Sequence, residues 1–209
     1  RIEVLRGQQS AIYGSDAIGG VIQYITLGGR DAPGGVARIE AGSFGTVNGA
    51  ARVAGYSGDL DYALSATVNT TDGTPSARNG TRDLANDSGA VSLKTTFAPT
   101  SNVRLTGVLR YARTDAEFND SDSDPASPTF GFQVDSPGNR FENEAIYALV
   151  RGELNLLDDH WTHALSAQIA DTRRDGFVST GRSYGSEGQR LKGSYDTTLR
   201  IEAGGLTHR

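Results

Sequence analysis

Apolar and polar residues alternate with period two along most of the chain, the signature of strands with one apolar and one polar face. Leu60 to Thr70 shows it almost without error: Tyr62, Leu64, Ala66 and Val68 fall on one face, and Asp61, Ser65, Thr67 and Asn69 on the other. Comparable segments run from Val36 to Phe44, Val47 to Tyr56, Ser88 to Ala98, Val103 to Thr114, Glu144 to Leu156, Trp161 to Thr172 and Gln189 to Ile201, predicting about eight strands. After a turn at Glu202 to Gly205, Leu206 to Arg209 reads as the start of a ninth. Arg104, Arg110, Arg151, Glu153, Arg190, Lys192, Asp196 and Arg200 sit on the polar faces, opposite aliphatic side chains. Upstream, the apolar run at Ile2, Val4 and Leu5 stops at Gly7, and Gly19-Gly20 launches a second run from Val21 to Ile25, giving strand, tight connection, strand. The Gly/Pro-rich linker Leu27 to Gly35 (LGGRDAPGG) divides this unit from the later strands.

The connections carry more information than the strands. Ser57-Gly58-Asp59, Pro99 to Asn102 and Leu157 to His160 are tight, whereas Thr71 to Asp87, Asp115 to Asn143 and Arg173 to Gly188 are long, polar and rich in Gly, Asp and Ser. Short and long connections alternate, so every long one falls at the same end. A soluble sandwich has no reason for that arrangement; an outer-membrane barrel has short periplasmic turns and long outer loops. Aromatic residues near strand ends, Tyr56, Phe97, Tyr111 and Trp161, fit the levels of interfacial girdles, and are equally compatible with ordinary strand positions.

Composition narrows the classes. The 209 residues include no Cys, which removes disulfide scaffolds, zinc ribbons and thiol catalysis, and a formal charge of -5 offers no basic stripe for nucleic acid. No apolar run reaches the length of a transmembrane helix. A membrane barrel needs none, because only every second strand residue faces lipid.

The opening stretch RIEVLRGQQSAIYGSDAIGGVIQYIT resembles the C-terminal end of the plug domain of TonB-dependent outer-membrane receptors, and within them the vitamin B12 (cobalamin) receptor type. The family form is close to IEVLRGP, two or three residues, LYGSxAIGGVINIIT. Matching residues are Ile2 to Gly7, with Arg6 and Gly7 at its end, then Ser10-Ala11, Tyr13-Gly14-Ser15 and Ala17 to Ile22, including Gly19 and Gly20; Gln8, Gln23 and Tyr24 depart. The resemblance implies an all-β chain: residues 1–34 as the end of a plug and its linker, and residues 35–209 as the first strands of a partial transmembrane antiparallel β-barrel of about twenty-two strands. It implies location in the bacterial outer membrane, contact with its lipid, uptake of cobalamin or an iron-siderophore, and energy from TonB through an upstream segment. A chain that starts inside the motif is expected to be an internal fragment.

Candidate chemistry is sparse. His160 and His163 have H-x-x-H spacing, but residues three apart on a strand point to opposite faces. No G-x-S-x-G, P-loop or H-E-x-x-H occurs, so no enzymatic reaction is expected. Asp120-x-Asp122-x-Asp124 resembles half an EF-hand loop, but Pro125 replaces the required Gly and Gly131 the closing Glu. The cobalamin-receptor resemblance implies calcium held between two outer loops, by Asp87 in one and Asp120, Asp122, Asp124 and Asp135 in the other; a solvated acidic loop is the alternative. Two rivals stand beside the receptor reading: a complete eight-stranded structural or adhesion barrel, and an outer-membrane barrel enzyme.

Overall fold

The computed structural model describes residues 2–10, 17–203 and 206–208; Tyr13 and Gly14 of the opening motif lie outside that set. Strands β1 (Ile2–Arg6) and β2 (Gly20–Tyr24) pair antiparallel as a separate two-stranded sheet. Gly20 pairs with Arg6 at φ +145°, and a Cβ there would lie 2.6 Å from the Leu5 carbonyl oxygen. The second motif glycine is therefore required by the closeness of the partner strand.

The main body is one antiparallel sheet. It contains β3 (Gly34–Ala41), β4 (Val47–Ser57), β5 (Leu60–Thr71), β6 (Asn86–Thr100) and β7 (Val103–Glu117). Two short strands, β8 (Asp120–Ser121) and β9 (Gln133–Val134), pair within a loop before β10 (Arg140–Leu156), β11 (Trp161–Val178) and β12 (Gly181–Leu199). A last small pair is β13 (Ile201–Ala203) with β14 (Leu206–His208), where the sequence pattern placed a turn and a ninth strand. The eight-stranded order is β12-β11-β10-β7-β6-β5-β4-β3, a meander in which each strand pairs with its sequence neighbour in the sheet. Strands β3 and β12 remain as edges among the described residues, so the rival of a closed eight-stranded barrel is not what forms.

The register aligns the apolar positions into rungs that cross the sheet. One runs Val53, Leu64, Leu93, Leu109, Ala148, Ile169, Leu191; another runs Leu60, Phe97, Leu105, Gly152, Leu165, Tyr195. Among the described residues nothing covers this bare face: Leu191 is 79% exposed, Leu165 66% and Val150 64%. The buried apolar residues are all alanines, Ala17, Ala54, Ala63, Ala116 and Ala164. Soluble proteins rarely expose contiguous apolar patches beyond a few hundred Å². Among the described residues no helix is long and apolar enough to cross a membrane, and these strands have the alternation of a wall with lipid on one side.

Above the apolar band the same face changes character within one rung. Val68, Gly89, Arg113, Glu144, Arg173 and Glu187 are successive cross-strand partners, and the next rung holds Thr70, Asp87, Asp115, Glu142, Asp175 and Gly185. Arg140 bonds Asp115 at 2.8 Å and pairs with Glu142, Arg113 lies 3.3 Å from Glu142, and the Tyr111 hydroxyl donates to Glu144 at 2.7 Å. Arg173 Nε and Arg182 Nε reach Asp175 at 2.9 Å and 2.8 Å. The Arg182 hydrogen bond, with the Arg173 ion pair behind it, holds the Asp175 carboxyl below the usual carboxylate range.

These ionic rungs correct one expectation. Residues 173–188 are not a loop: β11 continues to Val178, β12 starts at Gly181, and a two-residue turn joins them. The segment looked loop-like because its alternation is ionic rather than apolar. Outside the hydrocarbon a strand needs no apolar face, and paired charges and backbone bonds hold it. Strands β6, β7 and β10 outrun their apolar segments for the same reason.

If the bare face meets hydrocarbon, Val150→Arg at mid-band will destabilise the protein by roughly 2–4 kcal/mol. Leu149→Arg, one residue away on the opposite face, will be tolerated. Denaturant refolding into lipid vesicles measures both, and equal effects would contradict the assignment of faces.

Candidate functional site

The linker identifies the inner face. Residues 26–31 lie on the side of the sheet opposite the bare face, at the end of the short turns. The Gly29 and Arg30 N–H groups donate to the two carboxylate oxygens of Asp61, each at 2.6 Å. Asp61 is buried, 8% exposed, and these bonds satisfy a charge that would otherwise be stranded. Lys94 Nζ donates to the Thr26 carbonyl at 3.0 Å, Arg52 to that of Gly28 at 3.3 Å, and Arg30 reaches the Gly58 carbonyl while its guanidinium sits 4.6 Å over Tyr56. A Cβ on Gly29 would stand 1.9 Å from the Gly55 oxygen and 2.4 Å from that of Tyr62, so the chain passes flat against β4 and β5 only because that residue has no side chain. Tyr56, expected in an interfacial girdle, belongs to this inner clamp instead.

The other expected girdle residues do face outward. Trp161 donates to Thr197 at 3.0 Å and packs 4.3 Å from His163, whose Nδ1 lies 2.7 Å from the Tyr195 hydroxyl. His160 turns instead to the carbonyls of Leu157 and Asp158, so the two histidines take separate partners.

Charges on the inner face fall into two tiers. Near the short turns Arg151 is paired with Glu153 at 3.1 Å and Asp196 at 3.7 Å. Further towards the long loops, the rung Ser92, Arg110, Tyr147, Ala170, Arg190 and the rung Lys94, Val108, Leu149, Gln168, Lys192 carry cations and no carboxylate. A recess of about 300 Å³ opens there between Tyr147, Gln168, Arg190 and Lys192. A larger groove, about 520 Å³, is bordered by Ala66, Val68, Val91, Tyr111 and Arg113, residues of the bare face, and so opens towards lipid.

At the far end the long loops close on one another through Arg82. Its side chain, 15% exposed, donates to the Phe118 carbonyl at 3.0 Å, Asn119 Oδ1 at 3.1 Å and the Asn139 carbonyl at 3.2 Å, and lies 3.3 Å from Glu117. The Thr81 and Arg82 N–H groups donate to Asp135 at 2.8 Å and 3.2 Å, and a Cβ on Gly80 would meet the same carboxylate at 2.4 Å. Asn119 and Asn139 are buried at 6% exposure, unusual for loop amides and explained by their bonds to Ser136, Arg82 and Asp120. Arg78 stacks 4.6 Å over Phe132. Loops 72–85 and 118–139 thus form one packed cap beside the β11–β12 hairpin, to which Arg140 connects by lying 4.2 Å over Phe177.

The acidic candidates serve local roles. Asp87, expected in a loop, is the second residue of β6 and accepts from Thr70. Asp120 accepts from Asn139 at 2.8 Å. Asp122 accepts from the Asp124 N–H at 3.0 Å and the Thr129 hydroxyl at 2.7 Å, and Asp124 from the Ala126 N–H at 2.9 Å, the side-chain turns that Asp favours. Hydrogen bonds, first from Ser127 and then from the Asp124 amide and Thr129, hold the Asp122 carboxyl below its ordinary value. Asp87 pairs across the sheet with Thr70 and Asp115, and no group of three acidic, His or Cys side chains placed to hold a metal occurs among the described residues. Arg82 was not singled out in the sequence, because its acceptors are mostly backbone carbonyls, which leave no residue pattern.

No protein-family model matches the chain. Solved structures do. The siderophore receptor PiuA from Acinetobacter baumannii superposes with TM-score 0.78 at 15% identity, over 100% of this chain and 33% of its own. The fold is that of part of a TonB-dependent receptor barrel. The ferric-catecholate import receptor Fiu from E. coli K12 gives TM-score 0.73 at 15% identity over 97% of this chain and 36% of its own. FpvA of P. aeruginosa, in complex with a heterologous pyoverdine and iron, gives 0.71 at 16% over 99% and 30%. The chain therefore spans about a third of the length of these receptors. In such a barrel the bare face is the lipid side and the linker face the lumen.

Two outcomes test the site's construction. Asp61→Asn leaves one carbonyl acceptor for two N–H groups and weakens the linker clamp by about 1–3 kcal/mol; trypsin will cut after Arg30 faster than in the parent, and unchanged cleavage would show the clamp to be incidental. Arg82→Ala leaves the Phe118 carbonyl without its donor, while the Asn139 carbonyl and Asn119 Oδ1 keep the Phe118 and Ser136 N–H groups, at roughly 1–3 kcal/mol. Hydrogen exchange will then rise in loops 72–85 and 118–139 together, whereas a rise in one alone would mean that Arg82 does not join them.

Proposed function

We propose that this chain is a segment of a TonB-dependent receptor of the bacterial outer membrane that imports a ferric siderophore. Residues 1–34 are the end of its plug and the linker, and residues 35–209 the first strands of its barrel. The observation that carries the reading is the superposition of the whole chain, with the strand pair β1–β2 as well as the sheet, on receptors described as siderophore or ferric-catecholate receptors. The opening motif, the clamped linker and the bare apolar face agree with it. Cobalamin, which the motif suggested, gives way to iron-siderophore because these structural relatives carry siderophore descriptions.

On this reading the packed cap of loops 72–85 and 118–139 contributes to the outer binding surface. TonB acts on an upstream segment to displace the plug, while the linker stays fixed at Asp61. The structural relatives are described as a siderophore receptor and a ferric-catecholate import receptor. Transport without covalent chemistry is the activity proposed.

The test is uptake by cells lacking this receptor, supplied with labelled ferric siderophores or labelled cobalamin. Loss of uptake of a ferric siderophore, reproduced in a strain without TonB, is expected, with cobalamin uptake intact. Loss of cobalamin uptake alone would overturn the iron assignment and restore the vitamin.

A further inference from the structure

The lipid side of the sheet is not an even wall. Where the apolar band gives way to the ionic rungs, a groove of about 520 Å³ runs along β6. It reaches from the level of Ala66, Val91 and Tyr111 to that of Thr70, Asp87 and Asp115, roughly 13 Å along the strand. Its floor is Gly89, where a Cβ would meet only the Thr67 carbonyl oxygen, at 3.5 Å. Val68 leans away from it over β4: a Cβ on Gly49 would stand 2.9 Å from the Val68 Cγ1. On the other side Tyr111 and Arg113 are both drawn towards β10, by Glu144 at 2.7 Å and Glu142 at 3.3 Å. Both glycines and both contacts hold the trough open.

The groove lies in the interior of the sheet. Strands β4 and β10 flank the three that form it, strands added beyond β3 or β12 would lie further round the wall, and a plug would face the opposite side. It is continuous with the bare face, so its occupant comes from the bilayer. Its lower part is apolar, from Gly89 past Val91 towards Leu93, and a straight hydrocarbon chain along β6 would fill it. Its upper end carries both signs of charge. The Arg113 side chain is 58% exposed and meets Glu142 along one edge, so donors of its planar fork face outwards, a geometry that suits a phosphate. Asp87, exposed and in line with the groove, accepts from Thr70 and stands opposite Asp115. Arg140 answers the charge of Asp115 at 2.8 Å, whereas Asp87 meets no Lys or Arg among the described residues. Like charges on directly opposed strand positions repel, and a cation at Asp87 relieves that repulsion. Around the mouth the carboxylates of Asp87, Asp115, Glu142 and Glu144 outnumber the guanidiniums of Arg113 and Arg140, which disfavours a head group of net negative charge.

We propose that this groove is a binding site for a phospholipid with a zwitterionic, ammonium-bearing head: an acyl chain along β6 over Gly89, the phosphate on Arg113 and the ammonium on Asp87. The site rests on the bare face meeting lipid, as the membrane reading has it, and not on what the protein transports. A lipid held there fills the trough that Gly89 leaves in the apolar wall, just below the cap of loops 72–85 and 118–139.

The experiment measures lipid retained by the protein purified in mild detergent, by native mass spectrometry, with phosphatidylethanolamine or the anionic phosphatidylglycerol of identical acyl chains as probes. Expected is retention of phosphatidylethanolamine about tenfold tighter than of phosphatidylglycerol. Gly89→Leu, which fills the floor, removes the bound lipid. Arg113→Gln weakens phosphatidylethanolamine about tenfold, the loss of a charge-assisted contact, and Asp87→Asn erases the preference between the two heads. The last two substitutions lie at exposed positions and carry the test should a leucine in the wall prevent folding. Retention unchanged by Gly89→Leu or by Arg113→Gln, or tighter retention of phosphatidylglycerol by the parent, would overturn the proposal. Retained phosphatidylethanolamine in a protein whose deletion leaves ferric-siderophore uptake intact keeps the site and removes the uptake reading; lost uptake with no lipid retained does the reverse.

Discussion

A sheet one layer thick has no core, and everything else in this chain follows from that constraint. Each strand must place its apolar side chains on one face in register with its neighbours, because the only apolar partner available lies outside the protein. The rung from Val53 to Leu191 meets this requirement across successive strands. A slip of one residue in any hairpin would exchange Leu109 for Arg110, or Leu191 for Arg190, and put a cation against lipid. The tight turns at Gly58 and at 157–160 therefore do more than reverse the chain; they fix which residues of the next strand face lipid.

The lumen face obeys a different rule. It is not required to be apolar, so its residues are free to hold things. At the short-turn end it holds the linker, through one carboxylate and a glycine that brings two backbones into contact. At that same end Arg151 is neutralised, and towards the loops the face is cationic. At the outer end the packed loops replace the strand ladder as the source of order, with the Arg82 guanidinium donating to the Phe118 and Asn139 carbonyls.

Strand faces were legible in the sequence because period two survives any detail of twist or tilt, and the two faces read for Leu60 to Thr70 are those the register gives. Strand length was not. Arg173 to Gly188 looks like a loop because it lacks apolar alternation, while Arg173, Asp175 and Glu187 alternate as ions. Asp61 was legible as an inward charge but not as a clamp, since its partners are the N–H groups of residues about thirty positions away. The Asp120–Asp124 run was visible as an acidic cluster, and its use as a chain of side-chain turns depends on loop geometry that spacing alone does not contain.

The ionic rungs above the apolar band have a mechanical meaning. Sliding this wall inward by two residues, about 7 Å along the strand, would draw Arg113 and Arg173 into hydrocarbon, at roughly 2–4 kcal/mol for each if they reached its middle. Because the charges stand side by side on neighbouring strands, the resistance is shared around the wall and rises together. The rungs form a collar of charge: against a bilayer they would resist movement of the wall into hydrocarbon, and would do so together because they stand on neighbouring strands.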